Sequence, residues 1–339
     1  MKPFDYVRSD GDAENRSKPS EEAIATLGAG TRPYAGGTDM LTRMKLGITT
    51  PERLLDIKSL ELPRGIERRG DTLRIGALTT LVEIERHDFP PALALLAEAA
   101  SKAATPQLRE RATLGGNLLQ RPRCWYYRHA EVSCWLKGGE GCPAREGRNE
   151  HHAIFGDGHC VAVHPSDLAS CLLALDATVT LRGGGGSGEG GGERTLPLAD
   201  FFAAPNEERR HESVIADDEL VTAVDIPLGA LGEGSSSVYL KAMDRKVWAF
   251  ALVGLAAVAT PSDEGGRTLR LVASGVASTP WRLEAVEKAL ADVDTGDGKA
   301  LEAAVERALS AATPLAHNGY KVPLLRRLVA HALESLERG

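Results

Sequence analysis

The 339-residue chain has no apolar run long enough to cross a bilayer. Its longest, Phe250 to Ala259 (FALVGLAAVA), is about half of the ~20 residues a spanning helix needs, and reads as a buried strand or short helix. The segment MKPFDYVRSDGDAENRSK, with an early lysine but neither an apolar segment nor paired arginines, is not expected to act as an export signal by itself. By its own sequence the chain is expected in the cytoplasm, and in the periplasm only if exported folded with a signal-bearing partner. Positive charge is scarce: 40 Lys and Arg against 47 Asp and Glu give a net charge of −7. With no Lys/Arg run, neither nucleic acid nor direct membrane insertion is expected. Cysteine is absent from most of the chain, since all five (Cys124, Cys134, Cys142, Cys160, Cys171) fall in one window. An odd count in a chain of this size argues against a secreted disulfide framework, and the clustering points to a site.

What is present is an ordinary globular composition, 42% apolar, which excludes dominant disorder and suits two or three domains at roughly 100 to 200 residues each. Residues before 118 alternate short strands with amphipathic helices. Ser20 and two glutamates open a helix through Leu27, and Arg32 to Ala35 reads as a strand turning through Gly36-Gly37-Thr38-Asp39 into the periodic Met40, Leu41, Met44. Leu54 to Ile57 and Leu73 to Ile75 read as buried strands, Pro91 to Ala104 as a helix. From Gln120 to His159 periodicity disappears, as in an insertion organised around something other than an apolar core. Cys160 to Val163 reads as a strand, Ser166 as the N-cap of a helix to Leu175, and Ala177 to Leu181 as a strand.

Residues 183–192 (GGGGSGEGGG) form a surface loop by composition, lacking the Lys-Ser/Thr ending of a phosphate loop. Leu220 to Ile226, Ser237 to Lys241, Ala251 to Val258 and Thr268 to Val276 then suggest one antiparallel sheet. Two or three helices follow, the last from about Val322 to Arg338.

Two glycine turns have the chemistry of a diphosphate cradle, which needs convergent backbone N–H groups that only side-chain-poor turns bring close. Tyr34-Ala35-Gly36-Gly37-Thr38-Asp39-Met40 joins a strand to a helix, and Ala112-Thr113-Leu114-Gly115-Gly116-Asn117-Leu118 adds Thr113 and Asn117 as side-chain donors. Either turn alone is also what a plain tight turn looks like. The Rossmann pattern beginning at Gly28-Ala29-Gly30 fails because position 33 is proline.

Among the cysteines, Cys171 shares a helix face with Leu168, Leu172 and Leu175 and reads as a core residue. Cys124, Cys134, Cys142 and Cys160 remain, and their spacing leaves zinc, an iron–sulfur cluster, and disulfides or free thiols all open. Arg121, Arg123, Arg128, Lys137, Arg145 and Arg148 either offset thiolate charge or are solvated loop cations. His151, His152, His159 and His164 crowd the same region and read either as metal ligands or, as favoured here, as ordinary polar positions. No Ser-His-Asp, Cys-His or paired-carboxylate set stands out, so no catalytic acid, base or nucleophile is assigned.

Taken in order, YAGGTDML, RIGALTTL, RATLGGNL, HPSDLA, the strand ending Asp225-Ile226-Pro227, Lys241 and SGVASTPWR resemble the FAD-binding subunit of the xanthine dehydrogenase and molybdenum hydroxylase family over nearly the whole chain. The cysteine-bearing insertion is most similar to that of the flavoprotein subunit of periplasmic aldehyde oxidoreductases, and more distantly to the flavin subunit of 4-hydroxybenzoyl-CoA reductase. The resemblance implies an α+β fold, with FAD between two subdomains of the PCMH type (1–55 and 56–229) and a smaller C-terminal α+β domain (230–339). It implies Ala35, Gly36, Gly37, Thr38, Asp39 and Met40 around the diphosphate, completed by Thr113, Gly116 and Asn117. Asp167 falls at the adenosine end, with Val221 (register open by one) and Lys241 near the flavin ring. It also implies a [4Fe–4S] cluster on Cys124, Cys134, Cys142 and Cys160, a [2Fe–2S] small subunit and a molybdenum large subunit as partners, and electron delivery to an external acceptor. The competing readings are a stand-alone FAD oxidase or reductase, which leaves four cysteines without a role, and a zinc-stapled scaffold, which would purify colourless.

Overall fold

The computed structural model describes residues 1–8, 20–28, 30–183, 192–262, 266–291 and 298–338. Residues 184–191 of the glycine-rich loop lie outside the described residues. Three sheets divide the chain. β1 (Asp5–Val7), β2 (Thr31–Tyr34) and β3 (Arg53–Asp56) form a parallel sheet in the order β1-β3-β2. Parallel neighbours need a crossover, and the helix Met40–Lys45 lies in the one from β2 to β3. The helix Ser20–Ile24 covers this sheet, packing Ala23 and Ile24 with Leu27 onto Leu55 and Ile57.

β4 (Ile66–Arg69), β5 (Thr72–Gly76), β6 (Thr178–Gly183), β7 (Glu193–Pro197) and β8 (Glu219–Pro227) form an antiparallel sheet in the order β4-β5-β8-β6-β7. The sequence groups Leu220 to Ile226 with the three strands that follow it. The structure instead puts β8 at the centre of this sheet, between β5 and β6. Pairing between residues 72–76 and 223–227 leaves no trace in any local period.

β9 (Ser236–Ala242), β10 (Val253–Pro261), β11 (Arg267–Ser274) and β12 (Trp281–Arg282) make a second antiparallel sheet, β12-β11-β10-β9. The long apolar run resolves as strand. Val253, Leu255, Ala257 and Ala259 face a core shared with the helices Glu284–Ala291 and Lys321–Arg338, while Ala256 and Val258 join the core of the helix Asp167–Ala174. Burial on both faces is why the run does not alternate. A third C-terminal helix is Gly298–Ala308. Among the described residues no helix is long and apolar enough to cross a membrane.

Two local expectations need correction. Cys160 to Val163 is not a strand: Val161 carbonyl accepts from Ala153 N–H (2.8 Å) and the Cys160 sulfur lies 3.5 Å from Ala162 N, so the segment is tied to the insertion rather than to a sheet. Pro91 to Ala104 is a 3₁₀ turn, Pro91–Leu93, followed by a helix Ala94–Ser101, and Ala104 has a positive φ of 53°.

Candidate functional site

The two glycine turns are in direct contact. A Cβ on Gly36 would overlap the carbonyl of Arg111, immediately before the second turn, so only glycine permits this approach. Gly37 has φ +71°, and a Cβ there would meet the Tyr34 ring. Lys58, in the turn after β3, donates to Ala35 carbonyl (2.9 Å) and fixes the peptide that opens the first turn. In the second turn Thr113 caps the helix Leu114–Leu118, its Oγ1 accepting from Gly116 N–H at 3.3 Å. Asn117 Oδ1 accepts from Ser166 Oγ at 2.5 Å. Ser166 also accepts from Ala169 N–H (3.0 Å), as the N-cap of Asp167–Ala174, so one hydroxyl joins the second turn to the buried helix.

These elements line a two-lobed cleft. A cavity of about 430 Å³ is walled by Ala35, Gly36, Gly37, Met40, Thr113 and Val221. A cavity of about 520 Å³ is walled by Asn117, Asp167 and Lys241. Thr38, Asp39 and Gly116 line both. A bulge in the β6–β8 ladder between Thr180 and Leu181 pairs Leu181 with Val221, and both Leu220 and Val221 line the smaller cavity. Val221 Cβ then stands against Gly115.

Asp39, which lines both lobes, is also tied to a set of arginines. At the N-cap of Met40–Lys45 its side chain makes no cap bond. Its carboxylate accepts from Arg128 (2.8 Å) and Arg121 N–H (3.1 Å) and forms ion pairs with Arg123 (2.9 Å) and Arg43 (3.2 Å). Burial opposes its ionisation, but Arg123, Arg128 and Arg43 outweigh burial and hold the carboxyl below its ordinary value. Arg123 is pushed down to about 10, first by burial, with Asp39 opposing. Arg121 reaches Glu212 at 3.5 Å, while the exposed Arg148 pairs with half-buried Glu150 and stacks on Trp125.

Asp167 and Lys241 are also redrawn. The family resemblance implies opposite ends of the cofactor for them, whereas the structure pairs them, Lys241 Nζ to Asp167 Oδ2 at 2.7 Å, with both side chains buried. They belong to one end of the cleft.

The four candidate ligands share one half-buried region. Cys124 and Cys160 pack beside Cys134, Tyr127, Trp135 and Leu136, and Cys142 packs beside Ala144, Ala153 and Val161. Burial pushes the Cys124 thiol up to about 11, with Cys134 and Cys142 adding to it, and burial likewise raises Cys160 and Cys134. All five cysteines are free. Among the described residues no group of three or more His, Cys, Asp or Glu is arranged to hold a metal ion. Cys171 is fully buried, as its leucine face predicts, with Sγ 3.7 Å from Leu95 carbonyl.

The histidines are mostly structural. His159 stacks on Trp135, His151 packs edge-on to Trp125, and His164 is buried against Phe202. One pair escaped the sequence: His152 Nε2 lies 3.2 Å from Cys124 Sγ. Burial lowers His152 to about 4 while Cys124 is raised, so the pair is neutral and is not an activated nucleophile. The start of the last helix pins this stretch, with Lys321 and Asn318 both donating to His152 carbonyl (2.9 and 3.1 Å).

Residues 16–229 match the FAD binding domain in molybdopterin dehydrogenase, and residues 238–336 match the CO dehydrogenase flavoprotein C-terminal domain. The chain belongs to the FAD-binding medium subunits of the molybdenum hydroxylase family, and is an oxidoreductase subunit. Among curated relatives it is similar to the aldehyde oxidoreductase FAD-binding subunit PaoB of Escherichia coli, at 36% identity with 98% of each chain covered. It is 27% identical to the carbon monoxide dehydrogenase medium chain of Hydrogenophaga pseudoflava, with 93% of each covered. The solved carbon monoxide dehydrogenase from that organism superposes with a TM-score of 0.72 at 26% identity, covering 100% of this chain and 99% of that one.

Proposed function

We propose that the chain is the electron-transfer flavoprotein of a complex with a [2Fe–2S] small subunit and a molybdenum large subunit, passing electrons to an external acceptor. The observation that carries the reading is the cleft: every cofactor residue expected from the sequence lines one of its two lobes. FAD, when bound, supplies chemistry that accepts electrons singly or in pairs. The protein's part is to bind and orient. Gly36, Gly37 and Gly116 let backbone N–H groups approach a diphosphate, Thr38, Thr113 and Asn117 add polar side chains, and Asp39 holds the first turn through its arginines. Val221 closes the apolar side, and the Asp167–Lys241 pair sits at the flavin end. The subdomain limits 1–55, 56–229 and 230–339 are part of the same reading. For location we propose the cytoplasm, or the periplasm where a partner carries an export signal.

The proposal includes a [4Fe–4S] cluster on Cys124, Cys134, Cys142 and Cys160. The donor set fits in its chemistry, with four free thiols in one half-buried region and Arg121, Arg123 and Arg128 beside it. Assembly would draw the sulfurs together and release their protons. Co-purification from the native source with cofactor analysis tests the whole reading. FAD, iron, sulfide and molybdenum in one assembly are expected. A lone flavoprotein that turns over an organic substrate, or a colourless zinc protein, would overturn it.

A further inference from the structure

Behind the wall of the cavity of about 520 Å³, which Asp167, Lys241 and Ser274 line, lies a polar group to which the FAD reading gives no task. Tyr239, on β9 two residues before Lys241, is fully buried in the core shared with the helix Asp167–Ala174. A phenol hydroxyl in such a place needs a partner. It donates to Asp167 Oδ1 at 2.6 Å, and Ser274 Oγ lies 3.2 Å away. Lys241 Nζ holds the other carboxylate oxygen, Oδ2, at 2.7 Å and also donates to Lys102 carbonyl at 2.9 Å. The sheet makes room for this arrangement. Gly254 on β10 pairs with Lys241 on one side and Ser274 on the other, and a Cβ at Gly254 would collide with both Ser274 Oγ and the Tyr239 hydroxyl. Burial, then the neighbouring Asp167, raises the phenol well above its ordinary value, so it remains a proton donor.

We propose that Tyr239 is a positioning residue for the cofactor cleft, holding Asp167 so that the Asp167–Lys241 pair is fixed at the cleft wall and the redox potential of the bound flavin is set through it. The inference rests on the reading that FAD occupies the cleft with Lys241 at its flavin end. An ammonium at the wall favours the electron-rich reduced flavin, and the carboxylate opposes it. The phenol hydrogen bond withdraws charge from that carboxylate. Removing the phenol O–H returns the charge and makes the flavin harder to reduce.

The test is the midpoint potential of FAD in the full-length chain, measured with FAD affinity in Tyr239→Phe, Ser274→Ala and Lys241→Gln. Tyr239→Phe is expected to retain FAD and shift the potential downward. Ser274→Ala should shift it the same way by less, and Lys241→Gln, which keeps a donor on Asp167 but removes the charge, by more. An unchanged potential in Tyr239→Phe beside a lowered one in Lys241→Gln would overturn the role of Tyr239 and leave the flavin placement standing. No shift in Lys241→Gln would overturn the placement itself and the inference with it. If Tyr239→Phe does not fold, Ser274→Ala carries the test, and no downward shift there overturns the proposal.

Discussion

Asp39 and Arg128, 89 residues apart, meet at 2.8 Å and join the first glycine turn to the cysteine-bearing insertion. Arg123 and Arg43 share the same carboxylate, so one largely buried anion faces three guanidinium groups. Asp39→Asn is expected to cost about 3 kcal/mol, because the arginines lose their counter-charge in a buried setting. Both FAD retention and iron content should fall in this variant. Flavin affinity and iron analysis on the folded variant check this, and a loss confined to one cofactor would show that the two regions are not joined through Asp39.

The cysteines separate by role. Serine at Cys124, Cys134, Cys142 or Cys160 should lower or abolish iron in anaerobically prepared protein, since a hydroxyl is a poor substitute for thiolate at iron. Cys171→Ser should leave iron intact and cost roughly 1–2 kcal/mol, the penalty of a more polar group in an apolar core. Iron and sulfide assays beside denaturant melts distinguish the two outcomes, with zinc in place of iron marking a different metal.

His164 predicts an acid-sensitive fold. Burial lowers it from 6.5 to about 4. Between those values the unfolded chain binds a proton that the folded chain does not, so this contribution to stability is lost as pH falls from 6.5 toward 4. Going from pH 7 to pH 5 should cost about 2 kcal/mol through this group, at roughly 1.4 kcal/mol per pK unit. His164→Asn, which keeps an acceptor for the Ser166 N–H that His164 Nδ1 now faces at 3.4 Å, should flatten the profile. Denaturant melts at the two pH values measure the difference, and equal slopes in both proteins would refute it.

Local chemistry was legible from sequence, and long-range pairing was not. The Gly36-Gly37 and Gly115-Gly116 turns, the Ser166 cap and the buried Cys171 each announce themselves within a few residues, because turn chemistry, capping and a leucine stripe are local signals. The ties of Asp39 are not legible in the sequence because its partners Arg123 and Arg128 lie in another segment, where they read only as cations beside cysteines. Asp167 and Lys241 are 74 positions apart, and nothing in the sequence between them reveals that they touch. Tyr239 reads as an ordinary strand aromatic until the missing side chain of Gly254 is seen to accommodate its hydroxyl.

The most direct measurement is FAD affinity in Gly36→Ala, with Asn117→Ala alongside. Gly36 is where the first glycine turn meets the backbone of Arg111 with no room for a Cβ, so a methyl group there must separate the turns that form the diphosphate cradle. Wild-type protein should carry about one FAD per chain. Gly36→Ala should lose it while keeping its circular dichroism, and Asn117→Ala should bind roughly tenfold more weakly, equivalent to about 1.4 kcal/mol for a lost polar contact. Full FAD occupancy in both folded variants would contradict the account.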